Sequence, residues 1–143
     1  MNANTTDHQE LLLTLATAWG RLERRLDAVL GAARGISFAE YRILRVLADA
    51  EEGRKSRVDL AAAVGLSPSG VTRALRPLEK IGVVASEKSD RDARLALASL
   101  TAVGRELVDD ASNVVDDLMA LVLRRAEGDP PGVAELVDEL AHD

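Results

Sequence analysis

Polar side chains in the stretch GLSPSGVTRALRPLEKIG, residues 65–82, have the types and spacing to bind an anionic partner. Steps of three or four residues along a helix place side chains on one face. That face would carry Ser69, Thr72, Arg73, Arg76 and Lys80. Small hydroxyl residues let a helix approach DNA closely, and arginine donates hydrogen bonds to guanine or phosphate in the major groove. A lone stripe of this kind is more often an ordinary solvated helix face. Its place in a helix-turn-helix, the hairpin with a basic tip that follows, and the basic segment that contains both together favour a DNA-reading helix.

The helix that presents this face is predicted to be the second of a helix-turn-helix. A short helix is expected over 58–64, followed by a turn at Gly65. The second helix should run from Pro68 to about Ile81, with Ser67 as its N-cap and the proline at the first helical position, where it loses no hydrogen bond. The apolar residues of this helix form an inward stripe: Val71, Ala74, Leu75, Leu78 and Ile81.

The segments around this motif are predicted to form a β-hairpin and further helices. Alternation indicates strands in VVASEK and RLALASL, which the polar tip SDRDA joins. Residues 49–56 are expected to form a loop. Helical periodicity predicts a helix from about Asp7 to Leu30 that Gly31 and Gly35 end, one from Ser37 to about Asp49, a long one after Thr101, and a short last one over 133–140.

The N-terminal helix is expected to need a partner helix. Its apolar residues are spaced alternately by three and four positions: Leu12, Leu15, Trp19, Leu22, Leu26 and Val29. This seam is narrower than the stripe of a helix that lies on a large core, and it is typical of helices that pair. A chain of 143 residues is long enough for one domain or for one half of a dimer.

Composition and charge narrow the classes of function. Only 2% of the residues are aromatic, which nearly excludes the base-stacking surfaces that bind single strands or RNA. The net charge is −6, yet residues 54–94 hold nine basic and five acidic side chains, so a local anionic partner is predicted. No apolar run approaches the ~20 residues that span a bilayer, and the chain is expected to be soluble and cytoplasmic.

Catalytic and metal-binding chemistry finds little support. The chain has no cysteine, which excludes thiolate nucleophiles and cysteine-type metal sites. GLSPSG is close to the G-x-S-x-G nucleophile motif, but Ser69 stands where the second glycine is required and no strand precedes it. His8 and His142 have no clustered partners in the sequence. We predict no enzymatic activity, no metal site and no cofactor.

Three segments, taken in order, resemble the MarR family of winged-helix transcription regulators. ISFAEYRIL is similar to the family's second helix, VDLAAAVGLSPSGVTRALRPLEKIGVV to its helix-turn-helix, and DARLALASLTAVG to its wing and the start of its long dimer helix. The likeness covers roughly residues 36–104. It implies a mostly α (α+β) fold, in which a winged helix-turn-helix DNA-binding domain lies between N- and C-terminal helical dimerisation regions.

The resemblance also implies the residues that contact DNA. The residues that would face the major groove are Ser67, Ser69, Thr72, Arg73 and Arg76. At the wing, Arg94 would enter the minor groove and Asp92 would orient it. The family's wing reads Asp-Arg-Arg, whereas Ala93 stands here in place of the middle arginine, and Arg91 is the neighbour that could compensate.

A pocket for a small-molecule effector, often an aromatic acid, is a further implication of the resemblance. Trp19, Phe38 and Tyr41 could line it, or they could simply belong to the core. The expected domains are a dimerisation helix over 1–36, the DNA-binding domain over 37–100 and dimerisation helices over 101–143. We expect a homodimer that regulates transcription from a pseudo-palindromic operator on double-stranded DNA, as a ligand-responsive repressor. The alternative is a winged-helix module that binds protein instead of DNA.

Overall fold

The computed structural model describes residues 3–92, 95–125 and 133–142. Its elements follow in the order α1 (Ala3–Arg34), α2 (Phe38–Asp49), β1 (Arg54–Ser56), α3 (Arg57–Val64), α4 (Pro68–Lys80), β2 (Val84–Lys88), β3 (Ala96–Leu100), α5 (Ala102–Arg125) and α6 (Val133–His142). Within these ranges the chain is mostly helical with a small antiparallel sheet, which confirms the predicted α+β winged-helix class.

Serine side chains mark the starts of three helices. Ser37, Ser56 and Ser67 each accept a hydrogen bond from the backbone N–H three residues further on, at 3.0–3.1 Å. These bonds satisfy N–H groups that have no partner within the helix. Gly65 ends α3 in the left-handed conformation, with φ of +68°, which glycine adopts without strain. The predicted helix-turn-helix, with its turn at Gly65 and its N-cap at Ser67, is therefore confirmed. The N-cap at Ser56 was not predicted from the sequence.

The sheet joins the wing hairpin to a strand that the sequence did not predict. Its order is β1-β3-β2, and both pairs are antiparallel, with Ala98 of β3 opposite Lys55 on one side and Ser86 on the other. Residues 49–56, expected to form a loop, contain a 3-10 turn at Glu51–Gly53 and then β1. The sequence of β1 is RKS, which has no apolar alternation to reveal it, and its strand geometry comes from pairing with β3.

Two expectations about helix ends are wrong. Gly31 does not end α1, because a glycine inside a helix costs only about 1 kcal/mol; the helix continues to Arg34, and Gly35 ends it with φ of +70°. Ile81 was expected to point inward but is 59% exposed. It is the C-cap residue of α4, with φ of −90° and ψ of 1°, so it no longer follows the helical stripe.

The core lies where α2, α3, α4 and the sheet meet the C-terminal half of α1 and the first turns of α5. Its largest fully buried side chains are Leu30, Ile43, Leu44, Leu47, Leu60, Leu75, Leu78, Val71 and Val108. Aliphatic packing of this kind stabilises the domain by roughly 1.5–3 kcal/mol per buried side chain. Three of these residues belong to α4, so the core fixes that helix rigidly.

Residues 7–19 of α1 are exposed in the isolated chain. Leu12 and Leu15, the first two residues of the predicted seam, are 64% and 48% exposed, whereas Leu26 is buried. Further exposed apolar side chains lie on α5 and α6: Leu121, Leu123, Val137 and Leu140. Among the described residues, no helix combines the length and the apolar character that crossing a bilayer requires.

Candidate nucleic-acid interface

The two faces of α4 have opposite environments. Val71, Leu75 and Leu78 are fully buried, which turns the other side of the helix to solvent. The exposed polar residues on that side are Ser69, Arg73, Arg76 and Lys80. The structure thus brings together, on one rigid helix, four of the side chains that the sequence predicted for DNA contact.

The N-terminus of α4 is built from two serines and a proline. The Ser67 hydroxyl accepts the N–H of Gly70 at 3.0 Å, and the hydroxyls of Ser67 and Ser69 lie 3.2 Å apart. Pro68 takes the first helical position. Both serines are exposed, and a helix N-terminus carries a partial positive charge that favours an approaching phosphate.

Thr72 was predicted to belong to the same row of side chains as Ser69, Arg73, Arg76 and Lys80. It differs from them because it is half-buried and already hydrogen-bonded. Its Oγ1 accepts a hydrogen bond from Nη1 of Arg57 at 3.1 Å. Nη2 of the same arginine donates to Glu79 Oε1 at 3.1 Å and to Ser86 Oγ at 2.8 Å, and Ser86 in turn donates to Glu79 at 2.5 Å. We call these four residues the Arg57 cluster; it connects α3, α4 and β2.

Sequence reasoning missed the Arg57 cluster. Arg57 counted only as one of the basic residues between positions 54 and 94. It lies 15 residues before Thr72 and 29 before Ser86, so no helical or strand period relates these positions. The basic segment could have drawn attention to the residue, but only the packing of α3 against α4 and β2 shows its partners.

The wing is a hairpin whose tip is partly described. The Ser89 hydroxyl accepts the backbone N–H of Arg91 at 3.3 Å and that of Asp92 at 3.4 Å, which curls the chain after β2. Arg91 and Asp92 are exposed. Ala93 and Arg94 lie outside the described residues, so the predicted orientation of Arg94 by Asp92 stays a prediction.

A groove of about 500 Å³ lies between residues 50–59 and the tip of the wing. Its charged lining is mixed: Arg54, Lys55 and Arg91 face Glu51, Glu52, Asp59 and Asp90. Arg54 forms ion pairs with Glu52 and, at 3.5 Å, with Glu87, and the charge of Glu52 raises the pKa of its guanidinium. Because acids balance the bases here, the groove does not extend the basic surface of α4.

The three aromatic side chains meet where α1, α2 and α5 come together. The rings of Trp19 and Phe38 pack edge to face at 5.7 Å, and those of Phe38 and Tyr41 stack at 6.0 Å. The Tyr41 hydroxyl lies 3.1 Å from Ser112 Oγ. Trp19 is 44% exposed, so the cluster is open on one side. Its role in binding an effector stays a prediction.

No group of three or more potential metal-ligating side chains occurs within the described ranges. The two histidines illustrate this. His142 contacts Asp138, its neighbour one turn earlier on α6, at 3.3 Å, and both side chains are more than three-quarters exposed. His8 lies near the opposite end of the chain, on α1.

The arrangement described above defines a winged helix-turn-helix protein of the DNA-binding class. Residues 39–85 match the family model described as winged helix-turn-helix DNA-binding. BldR, a transcriptional regulator from Sulfolobus solfataricus, shares the fold with a TM-score of 0.83 at 24% identity, over 98% of this chain and 95% of that one.

More specific similarities are to bacterial transcriptional regulators. Sco3205, a MarR family transcriptional regulator from Streptomyces coelicolor solved in complex with DNA, is 26% identical with a TM-score of 0.83, over 94% of this chain and 84% of that one. YdgJ, an uncharacterized HTH-type transcriptional regulator from Bacillus subtilis, is 31% identical over 77% of this chain. The matched region spans 65% of the length of YdgJ. The chain is therefore similar to MarR family transcriptional regulators and matches a winged helix-turn-helix DNA-binding domain over residues 39–85.

Proposed function

We propose that this protein is a sequence-specific DNA-binding regulator of transcription that acts as a homodimeric repressor. The observation that carries the proposal is the exposed basic face of α4, held outward by three fully buried residues on its opposite face. A helix anchored in this way can enter the major groove without rearrangement of the domain. The DNA complex of the similar Sco3205 supports this use of the fold.

The residues proposed to contact DNA divide between the helix and the wing. Those on and before α4 are Ser67, Ser69, Thr72, Arg73, Arg76 and Lys80. Arg73 and Arg76 supply base and phosphate contacts, since arginine reaches guanine O6 and N7 as well as the backbone. At the wing, Arg94 enters the minor groove and Asp92 orients it.

A homodimer follows from the exposed apolar surface outside the DNA-binding domain. Leu12 and Leu15 of the seam on α1, with Leu121 of α5 and Leu140 of α6, would lose contact with water in a two-fold assembly. The proposed domains are a dimerisation helix over 1–36, the DNA-binding domain over 37–100 and dimerisation helices over 101–143. Two lobes would then reach successive major grooves about 10 bp apart on a pseudo-palindrome.

An effector would act through the joint between the dimer helices and the DNA-binding lobes. The cluster of Trp19, Phe38 and Tyr41 lies where α1 and α5 of the dimer region meet α2 of the lobe. A small molecule bound there changes DNA affinity only through different affinities for two lobe spacings. A regulator of this kind works in the cytoplasm, where its operator is.

The test is fluorescence-anisotropy binding to duplex DNA from upstream of the protein's own gene and to a scrambled duplex, across a salt series. A preference of about 10³-fold or more is expected for a specific regulator. Arg73→Ala and Arg76→Ala should each weaken binding. Loss of a base contact should cost about 1–3 kcal/mol, whereas loss of a phosphate contact should lower the salt slope, the change of log K with log[salt], by about one.

Arg42→Ala is the matched control, because Arg42 is an exposed arginine that belongs to α2 and not to the basic face of α4. It should bind as the wild type does. If neither the upstream duplex nor one selected from a random pool is preferred, and all the variants bind equally, specific regulation is refuted and the protein-binding module becomes the better reading.

A further inference from the structure

We infer that Arg57 is a positioning residue for DNA recognition: it locks α4 to the wing strand β2 and makes the Thr72 hydroxyl a hydrogen-bond donor towards DNA. The inference rests on the proposed function but names a residue outside the row of side chains on α4. Arg57 is the first residue of α3, and its guanidinium lies between the two elements that must enter neighbouring grooves.

The lock consists of hydrogen bonds from one rigid group to two elements. Thr72 and Glu79 are seven residues apart on α4, about two helical turns, and Arg57 bonds both of them. Ser86 of β2 accepts from the same Nη2 and donates to the same carboxylate oxygen as Arg57 does. Three partners around one planar guanidinium fix the rotation of α4 about its axis relative to β2.

The environment makes this cluster stronger than a typical surface ion pair. The side chains of Arg57 and Glu79 are only 22% and 32% exposed, so their charge-assisted bonds are partly shielded from water. Nε of Arg57 is buried and has no hydrogen-bond partner among the described residues. Leaving a buried donor unpaired lowers stability, so stability alone would not favour this geometry.

The bond from Arg57 changes what Thr72 offers to DNA. A hydroxyl has one proton to donate and two lone pairs that accept. Because the guanidinium occupies one lone pair of the Thr72 hydroxyl and polarises its oxygen, the hydroxyl becomes a better hydrogen-bond donor than acceptor. It therefore favours base edges that present acceptors, such as guanine O6 and N7 or thymine O4, over the N4 amino group of cytosine.

A DNA-binding experiment separates positioning from direct contact. Arg57→Met keeps the apolar stem and removes the charge, Arg57→Lys keeps the charge without the fork, and Thr72→Val removes the hydroxyl at nearly equal volume. We expect Arg57→Met, Arg57→Lys and Thr72→Val to relax preference at the same base pair, each by about tenfold. The Arg57→Met/Thr72→Val double variant should lose no more than the single variants do.

The alternative is that Arg57 contacts a DNA phosphate directly, and the salt dependence of binding tests it. If Arg57 instead contacts a phosphate, Arg57→Met should lower the salt slope by about one, Arg57→Lys should bind as the wild type does, and the effects with Thr72→Val should add. Any of these results overturns the inference. Lys55→Met is the control, since Lys55 is a neighbouring basic residue on β1 outside the Arg57 cluster, and it should leave the base preference intact.

Hydrogen exchange of the DNA-free protein tests the lock independently of the operator. Arg57→Met should speed amide exchange in the segments of α4 and β2 together, by about tenfold, whereas Lys55→Met should not. A change confined to α3, or no change, overturns the lock. A wild-type protein without sequence preference would refute the proposed function, and with it the role of Thr72, while the exchange data would still decide whether Arg57 joins α4 to β2.

Discussion

A single methyl group added at Gly104 should disturb the joint between the DNA-binding lobe and the long helix α5. Gly104 lies in the first turn of that helix, against the backbone of Val83. A Cβ placed there would lie 2.1 Å from the Val83 carbonyl oxygen and 2.7 Å from Cδ1 of Leu100. Thr101 ties the same region together, since its N–H donates to the Val83 carbonyl at 3.1 Å and its hydroxyl to the Gly82 carbonyl at 2.7 Å.

The magnitude follows from two opposing effects of Gly104→Ala. Alanine is the better helix former by about 0.8–1.0 kcal/mol. Against this, the new methyl is about 1.3 Å too close to the Val83 oxygen, because ordinary contacts begin at 3.4 Å. Overpacking costs about 1–3 kcal/mol, and the upper end applies because the obstructing atom is backbone and hydrogen-bonded. We expect a net destabilisation of about 2 kcal/mol, or roughly 6 °C in Tm.

The assay is urea and thermal unfolding at one fixed protein concentration, since subunit association changes apparent stability. Gly31→Ala is the matched control: Gly31 lies inside α1 with no atom within 4 Å of its added Cβ, so that variant should gain about 0.5–1 kcal/mol. If Gly104→Ala is as stable as the wild type or more so, the close packing of α5 against Val83 is refuted.

Two further predictions concern the dimer seam and the start of α2. Leu12→Glu combined with Leu15→Glu should shift the sedimenting species towards the 15.3 kDa monomer, because both leucines are exposed in the isolated chain and would lie in the dimer interface. The control Leu66→Glu, in the turn before α4, should leave the sedimenting species unchanged. A double variant that sediments as the wild type does would contradict the proposed dimer. Burial raises the pKa of the Glu40 carboxyl above its ordinary value of 4.5, although hydrogen bonds from Ser37 oppose the shift. The folded protein therefore keeps this proton to a higher pH than the unfolded chain does, and it loses stability as pH rises through the raised pKa. Relative to the wild type, the free energy of unfolding of Glu40→Gln should therefore increase as pH rises from about 4 to 7. A difference between the two proteins that does not change with pH would show that the pKa is not raised.

Local signals accounted for most of the helix-turn-helix. Ser67, Pro68 and Gly65 act through their own backbone geometry and their nearest neighbours, so their roles can be read without knowing the fold. The stripe of Val71, Leu75 and Leu78 likewise follows from helical period alone, and once it is buried the arginines must face outward. The same reasoning failed at Ile81, where the helix ends and its period no longer applies.

The features that required the tertiary structure depend on residues far apart in the chain. β1 is a strand because β3 offers it hydrogen-bond partners more than 40 positions away, and its own residues RKS carry no strand signal. The close approach of Gly104 to Val83 depends on how the end of α4 meets the start of α5.

The sequence by itself determined that a helix with a basic face would follow a glycine turn, since capping, periodicity and charge are properties of neighbouring residues. It could not determine which side chains would hold that helix in place. Arg57 bonds Thr72, Glu79 and Ser86 because packing brings α3, α4 and β2 to one point. Long-range contacts have no period in sequence, so only the folded chain reveals that an arginine outside the exposed face of α4 bonds both that helix and β2.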